Sequence, residues 1–364
     1  MKRGIITLLV AVCFVQISYG QEFKGIGPFT SLQGYFKAFH NGVIRQLEYL
    51  PVKSFQVGDN LLAYIDNKGD VKVFQGEQVK TLAGVANNYS VSDNILVFNT
   101  GPVTSVWKDG KGQLLTNFGR RYVVSDSLVV FEDTQFNSVK VWYNGQIKDL
   151  YTVIGDIYLP AGIGDNVVAF AAVGGTHYVF YKGAFYEAGT YRDPLTFSCG
   201  RDIVAFNDPV QMSFAIFEKG EFLDLEPMHA KRFIAGWSCV TYTDQNGNLQ
   251  YYANNSVKTL SNYAPDYWDA KDQMVVWGEG DLFQVWDGKR KVTAAYFKPE
   301  KWKLKNNVIA FQNQMKGVDC VIDGKVINIT NEPVIDFYIS GNMVVCELPN
   351  SSFLAYVDGR KIRS

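Results

Sequence analysis

Residues 88–98 read NYSVSDNILVF, and residues 121–131 read RYVVSDSLVVF. Each stretch combines an aromatic residue, a valine, a Ser-Asp pair and an apolar run that ends in phenylalanine. Nearly the same eleven residues written twice in one chain indicate a repeated structural unit. The remainder of the chain supports this interpretation, because the apolar run returns at a regular interval.

The apolar run occurs nine times, and successive copies end 33 to 39 residues apart. The copies are LLAY (61–64), ILVF (95–98), LVVF (128–131), VVAF (167–170), IVAF (203–206), CVTY (239–242), MVVW (274–277), VIAF (308–311) and MVVC (343–346). Self-similarity at such a period is typical of stacked supersecondary units.

Two further columns accompany each run. An aromatic residue precedes its end by nine positions, and only Ala161 breaks that column: Phe55, Tyr89, Tyr122, Phe197, Phe233, Trp268, Trp302 and Phe337. A second apolar column follows the end by nine to eleven positions: Phe74, Trp107, Trp142, Phe180, Phe217, Tyr252, Trp286, Ile322 and Tyr356. A short fourth segment, such as QVKTL, comes next. Alternating segments of this length between Asx and Gly turns predict β-strands.

Four short antiparallel strands per unit of about 35 residues resemble the blades of β-propellers as a class. The sequence therefore predicts an all-β propeller of about ten four-stranded repeats, and an open β-solenoid is the alternative. The first unit has only Phe29 and Phe39, so we expect it to lack its leading strand. The Ser-Asp and Gly-Asp pairs predict turns in which an Asp or Asn side chain can bond its own backbone.

The first twenty residues predict a signal peptide. Lys2 and Arg3 precede an apolar run from Ile5 to Val15, and small residues at Ser18 and Gly20 favour cleavage before Gln21. This start resembles a bacterial Sec signal, and the Gln-Glu mature start is similar to exported proteins of the Bacteroidetes. We therefore expect a single repeat domain over residues 21–364 in the periplasm.

The charge balance argues against a nucleic-acid or anionic-membrane partner. Removal of Lys2 and Arg3 leaves 33 basic residues against 36 acidic ones, whereas such surfaces need clustered Lys and Arg. No direct membrane insertion is expected. The four cysteines of the mature chain, at 199, 239, 320 and 346, are interpreted as small buried side chains, and the sequence does not pair them.

No catalytic set of residues stands out, so we expect neither an enzyme nor a cofactor. His40, His177 and His229 have no metal-ligand spacing and are interpreted as exposed loop residues. IDNKGD (65–70) and TDQNGN (243–248) resemble calcium loops, as a metal-dependent phosphohydrolase propeller would need, but their spacing favours turns. The aspartates at 59, 93, 126, 165 and 272 share one unit position, and we interpret them as turn formers rather than acids.

Breaks in the repeat mark the expected binding surface, because function tends to reside in variable loops on a rigid scaffold. The breaks are at 151–166, 171–178, 207–214 and 225–233. The candidate partner-binding residues are Tyr158, Pro160, His177, Met212, Met228 and Trp237. Trp237 replaces a turn Asp, so among the aromatic residues it is the one expected to be exposed.

The favoured function is a non-catalytic periplasmic scaffold that binds a protein. The repeats run to Gly359, so we expect no separate C-terminal sorting domain of the kind that cargo of the Bacteroidetes type 9 secretion route carries. By resemblance of kind, the chain is similar to an accessory of an outer-membrane export complex, such as the periplasmic plug of that translocon. The alternative is a carbohydrate-binding or glycoside-cleaving propeller that uses its central face.

Overall fold

The computed structural model describes residues 25–364, and this part of the chain forms ten antiparallel β-sheets. The signal peptide expected at residues 1–20 and the mature start at Gln21 lie outside the described residues. No helix in residues 25–364 is long and apolar enough to span a membrane.

The sheets follow one another along the chain, and we number them as blades 1 to 10. Blade 1 contains β1 (Ile26–Thr30), β2 (Phe36–His40) and β3 (Val43–Glu48); blade 2, β4 (Ser54–Val57), β5 (Leu62–Ile65), β6 (Val71–Phe74) and β7 (Val79–Ala83); blade 3, β8 (Asn88–Val91), β9 (Ile95–Thr100), β10 (Val103–Lys108) and β11 (Lys111–Thr116); blade 4, β12 (Tyr122–Val124), β13 (Leu128–Asp133), β14 (Ser138–Tyr143) and β15 (Gln146–Thr152); blade 5, β16 (Gly162–Ile163), β17 (Val167–Ala171), β18 (Thr176–Tyr181) and β19 (Ala184–Thr190).

The second half continues the same pattern. Blade 6 contains β20 (Phe197–Cys199), β21 (Ile203–Asp208), β22 (Ser213–Glu218) and β23 (Glu221–Glu226); blade 7, β24 (Arg232–Ala235), β25 (Cys239–Thr243), β26 (Leu249–Ala253) and β27 (Ser256–Ser261); blade 8, β28 (Trp268–Lys271), β29 (Met274–Glu279), β30 (Leu282–Trp286) and β31 (Lys291–Ala295); blade 9, β32 (Trp302–Lys305), β33 (Val308–Gln312), β34 (Val318–Ile322) and β35 (Lys325–Thr330); blade 10, β36 (Asp336–Ser340), β37 (Met343–Glu347), β38 (Phe353–Val357) and β39 (Arg360–Arg363).

Within each four-stranded blade the strands pair in chain order, and we call them inner, second, third and outer. The recurring apolar run forms the second strand, which is buried on both faces because each blade packs between two neighbours. Alternate side chains of one such strand enter different clusters: Ile95 and Val97 pack toward blade 4, and Leu96 and Phe98 pack toward blade 2. Continuous apolar runs are the expected signature of such two-sided burial.

The predicted aromatic columns lie where the repeat placed them. The tryptophans of the second and third strands, including Trp277 and Trp286, are buried between blades. Trp302 of the inner strand β32 is half-buried and packs against Phe283 of the neighbouring blade. Most residues of the columns are therefore layers of the core, as predicted from their period, whereas Phe55 is 42% exposed.

Within residues 25–364 blade 1 has three strands, and the residues that would form its leading strand lie outside the described part of the chain. Side-chain contacts close the ring at this blade. Ser340 of blade 10 accepts the N–H of Ile26 at 3.1 Å and donates to the carbonyl of Gly58 in blade 2 at 3.1 Å. Blades 10 and 2 thus meet directly around the central channel. The described residues form ten blades, nine of them four-stranded, and the contacts at Ser340 close the ring, so the alternative of an open solenoid is not needed.

Candidate functional site

The turn between the inner and second strands of each four-stranded blade points to the central channel. One residue of every such turn lies in a polar ring around the mouth of that channel. In order around the ring these residues are Asp59, Asp93, Asp126, Asp165, Arg201, Trp237, Asp272, Asn306 and Gly341. The same repeat position is thereby brought to one place nine times.

Hydrogen bonds between neighbouring blades hold the first part of this ring. The carboxylate of Asp93 accepts the N–H of Asp59 at 3.0 Å, Asp126 accepts that of Asp93 at 2.7 Å, and Asp165 accepts that of Asp126 at 2.8 Å. The expectation that each Asp bonds its own backbone is therefore wrong. Each carboxylate instead supplies the acceptor that the adjacent blade lacks.

The second part of the ring uses the backbone instead. The N–H of Asp165 donates to the carbonyl of Gly200, that of Arg201 to Gly236, and that of Trp237 to the carbonyl of Asp272. Glycines permit this close approach: a Cβ on Gly236 would lie 1.8 Å from the oxygen of Asp272. Since the backbone supplies the acceptor here, positions 201 and 237 are free to carry other side chains.

Two cations bridge the carboxylates across the channel mouth. Lys305 lies 2.8 Å from Asp59 and 2.6 Å from Asp93. Arg201 lies 3.2 Å from Asp165 and 3.4 Å from Asp126. Arg201 also stacks over the ring of Trp237, 4.2 Å from its centroid. The ring is thus a network of alternating charges rather than an open acidic patch.

A cavity of about 610 Å³ lies inside this ring. Its floor is apolar, formed by inner-strand side chains that include Val57, Val91, Val124 and Ile163. Four aspartates of the ring line it, together with Arg201, Lys271 and Lys305: Asp93, Asp126, Asp165 and Asp272. The lining therefore holds one more acidic than basic side chain.

Burial and like charges shift the pKa values at the rim. Burial, with the neighbouring carboxylates of Asp59 and Asp126, raises the pKa of Asp93 to about 6. Burial, with Asp165, also raises the pKa of Asp126, and burial raises that of Asp272. Burial alone would lower the pKa of Lys305, but the two carboxylates beside it outweigh that effect and raise it. Lys305 therefore stays charged.

This arrangement was missed from the sequence. Periodicity argued that the aspartates are structural, and their inter-blade hydrogen bonds agree with that interpretation. The repeat also places these aspartates close together, because equivalent residues of the blades lie at the same distance from the axis of a closed ring. Among residues 25–364, no group of three or more His, Cys, Asp or Glu side chains is placed to hold a metal ion. The 65–70 and 243–248 segments form turns, and Asp66 accepts three N–H groups of its own turn.

Because the strands of each blade are antiparallel, the loops lie on two opposite faces of the disc. The turns between inner and second strands, and those between third and outer strands, lie on one side, which we call the turn face. The turns between second and third strands, and the connections between blades, lie on the other side, which we call the linker face. Hydrogen bonds join neighbouring loops there, such as Tyr191 N–H to the carbonyl of Gly175.

The predicted partner-binding residues divide between these faces. Tyr158, Met212 and Met228 are exposed on the linker face, and Pro160 is half-buried in the same connection as Tyr158. Trp237 is half-buried at the channel mouth on the turn face, beneath Arg201. Trp237 was expected to be exposed, and it is instead half-buried and lines the cavity.

The interpretation of the histidines as exposed is wrong. His177 is only 2% exposed; its Nδ1 bonds the carbonyl of Gly175 at 2.9 Å, and its Nε2 accepts the N–H of Leu195 at 3.2 Å. It therefore ties a turn to an inter-blade connection and is not available to a partner. His40 packs edge-on against Phe74, and His229 bonds the carbonyl of Asp208, and both are half-buried.

Three of the four cysteines are buried, in agreement with their interpretation as small buried side chains. Cys239, Cys320 and Cys346 are buried, while Cys199 is half-buried beside the central cavity, and all four are free thiols. Burial raises the pKa of Cys199, Cys320 and Cys346 to about 12 and that of Cys239 to about 11. None is poised as a nucleophile at neutral pH.

Exposed apolar side chains are concentrated on the linker face. The most exposed large ones range from 54% for Leu50 to 106% for Ile154, and every one of them within residues 25–364 lies in a linker-face loop. They are Leu32, Tyr49, Leu50, Val85, Phe136, Ile154, Tyr158, Val173, Val210, Met212, Met228, Tyr263, Tyr296 and Met315. The remaining, less exposed ones lie in strands or in linker-face connections.

Three solved structures illustrate what the chain is similar to. The computationally designed Ika8 protein has 18% identity and a TM-score of 0.35, covering 84% of this chain and 98% of its own. Hsv2p of Kluyveromyces lactis has 10% identity and a TM-score of 0.32, covering 65% and 92%. PorZ of Porphyromonas gingivalis, described as a surface component of the type-IX secretion system, has 10% identity and a TM-score of 0.29, covering 93% and 56%.

These TM-scores are below 0.5, so no functional argument is taken from the three structures. No curated protein matches the chain. The family comparison is decisive, because a model described as a 10-bladed beta propeller domain matches residues 21–362. The chain therefore belongs to the 10-bladed β-propeller domain family.

Proposed function

We propose that this protein is a non-catalytic scaffold that binds another protein through its loops. The observation that carries the proposal is the exposure of apolar side chains in the loops where the repeat is broken, namely Tyr158, Met212 and Met228. A propeller of packed blades holds such loops in fixed relative positions, which lowers the entropy lost on binding. Aromatic residues and methionine are also enriched in protein interfaces.

The proposed compartment is the periplasm, which rests on the signal-peptide pattern of residues 1–20. Within it, the specific role we propose is an accessory or plug subunit of an outer-membrane protein export complex. The near balance of acidic and basic residues supports a protein partner over nucleic acid.

Co-purification from envelope membranes tests this function. The tagged full chain is expressed in its host, solubilised in mild detergent and purified, and an outer-membrane protein is expected in fixed stoichiometry. Met212→Asp combined with Met228→Asp should lower that stoichiometry, because charges would enter an apolar contact. The matched control is Asn144→Asp with Asn254→Asp, which adds the same charge on exposed turns of the turn face. Recovery of the chain without any stoichiometric partner would contradict the proposal.

The central cavity favours one second candidate, a carbohydrate-binding or glycoside-cleaving propeller. Trp237 and the carboxylates at the rim are side chains that sugars stack on and hydrogen-bond to. A raised carboxyl pKa, as at Asp93, is a property of glycosidase acids. Against this candidate, Asp93 already accepts the N–H of Asp59 and the ammonium of Lys305. Retention on immobilised envelope polysaccharide that Trp237→Ala abolishes would favour this candidate over the scaffold.

A further inference from the structure

We infer that the docking surface is the whole linker face, and that its partner is a protein with a near-neutral apolar surface broad enough to contact several blades at once. This inference rests on the proposed scaffold function and assigns it a face and a partner chemistry. The partner would lie against the disc, on the side opposite the charged ring of the channel mouth.

The polarity of the turn face follows from its geometry. Its tight turns between third and outer strands require positive φ angles, which Asn, Asp and Gly adopt most readily, as at Asn41, Asp109 and Asn144. Most loops of the linker face are longer, and nothing in their backbone geometry selects an apolar residue at the tip. Exposed apolar residues there gain no core packing, so the fold itself does not account for them.

Two of these apolar residues also strain the backbone. Val85 has a φ of +48° and is 72% exposed, although β-branched residues adopt that conformation only at a cost. Met212 has a φ of +57° and is 60% exposed. Gly or Asn would fit both backbones better. Strained apolar side chains directed to solvent indicate that the side chains themselves are required.

The exposed tips surround the disc rather than forming one groove. Leu32 lies in blade 1, Val173 in blade 5, Tyr263 after blade 7 and Met315 in blade 9. A short peptide or a small ligand could contact only one or two of them. A partner that uses all of them must be as wide as the disc, which a folded protein or a bilayer would provide.

The charges favour a protein over a bilayer. The loops of the linker face contain as many acidic as basic residues. Some pair locally, as Lys316 with Glu300 at 2.5 Å and Arg363 with Glu332 at 2.9 Å. An anionic leaflet attracts surfaces with surplus Lys and Arg, which this face lacks. An apolar face with balanced charge matches a near-neutral protein surface.

Site-specific photocrosslinking in the host tests the inference. A photoreactive amino acid replaces Leu32, Val173 or Tyr263 on the linker face, and Asp109, Asn144 or Asp358 on the turn face. We expect all three linker-face positions to give an adduct with the same protein, identified by mass spectrometry, and the turn-face positions to give none. The addition of Val210→Asp should reduce the Val173 adduct about tenfold.

Other outcomes separate this inference from the general function. Adducts from the turn face alone would overturn the inference but leave a protein-binding scaffold. An adduct of twice the chain mass would replace the partner with a second copy. Sedimentation of the purified chain with phosphatidylethanolamine–phosphatidylglycerol vesicles would replace it with a bilayer. Absence of adducts from both faces would contradict the inference and the scaffold function together.

Val85→Asn distinguishes a structural from a binding role at the same residue. Asn relieves the backbone strain, so the unfolding midpoint should rise, while the yield of the adduct from Leu32 or Tyr49 positions should fall several-fold. A purely structural Val85 would lower stability on substitution and leave the adduct yield unchanged.

Discussion

Lys305→Met should show how much the bridging ammonium at the channel mouth contributes to the stability of the fold. Lys305 is 19% exposed and holds the carboxylates of Asp59 and Asp93 at 2.8 and 2.6 Å. Met preserves the aliphatic stem but removes the ammonium. The two carboxylates, which also join blades 2, 3 and 10 through the N–H groups of Asp59 and Gly341, would then repel each other without a counter-ion.

The expected loss follows from the burial of the pair. Removing one partner of a fully buried ion pair costs about 3–5 kcal/mol. Because the cavity admits some solvent, we expect about 2–3 kcal/mol for Lys305→Met. An unfolding entropy of roughly 2.1 cal/mol/K per residue, over about 340 residues, converts this loss into a decrease of about 3–4 °C in the unfolding midpoint.

The pH dependence gives the sharper test. Asp93 has a pKa raised from 3.8 to about 6, so the native state binds its proton more tightly than the unfolded state does. Its ionisation therefore lowers stability as pH rises from about 4 to about 6. Without Lys305 the pKa of Asp93 should rise further, so the deficit of Lys305→Met should be larger at pH 8 than at pH 5.

Thermal unfolding of both proteins at pH 5 and pH 8 measures this difference. Asp93→Asn should recover part of the loss in the double variant, since its amide oxygen can still accept the N–H of Asp59 without a charge. Lys303→Met, an exposed change in the same strand, is the control and should leave the midpoint unchanged. Equal deficits at the two pH values, or no deficit at all, would refute the electrostatic argument.

Three further results are expected. Trp286→Ala should cost about 3–5 kcal/mol in denaturant unfolding, because its ring is 4% exposed between blades 7 and 8; a loss near zero would contradict the assignment of that column to the core. Gly236→Ala should cost about 1–3 kcal/mol, since its Cβ must displace the carbonyl of Asp272, and unchanged stability would mean that the blades separate freely. The four thiols should resist a thiol reagent at pH 8 until guanidinium unfolds the chain, because burial raises the pKa of each; rapid labelling of the folded protein would contradict their burial.

The repeat made the blades predictable because each blade is formed by strands that are consecutive in the chain. An apolar run such as ILVF at 95–98 is buried on both faces, so its composition alone identifies it as the second strand of a blade. The expectation that blade 1 lacks its leading strand came from the same pattern, as a unit with two columns instead of three, and it concerns residues outside the described part of the chain. The contact between blades 10 and 2 at Ser340 could not be predicted from the sequence, because a single contact between residues so distant in the chain does not recur with the repeat.

The site was less predictable than the fold. The position of Asp93 in its unit was clear, but its hydrogen bond to the next blade and its contact with Lys305 depend on ring geometry. His177 was misassigned because its Gly-rich surroundings resemble an exposed loop. Its imidazole is in fact buried and accepts the N–H of Leu195. The exposure of Met212 and Tyr158 was anticipated from broken periodicity, whereas the gathering of apolar tips on one face required the topology.

The seam at blade 1 has a consequence for how the molecule is made. Contacts across it join Ile26 to Ser340 and Ser340 to Gly58, whereas most strand pairing involves neighbours along the chain. A growing chain could complete blade after blade locally, but these contacts must wait until the last blade exists. Within residues 25–364 no strand is exchanged between the two ends, so the ring closes through packing and hydrogen bonds alone. Separation of the blades at this seam is therefore the expected first step of unfolding.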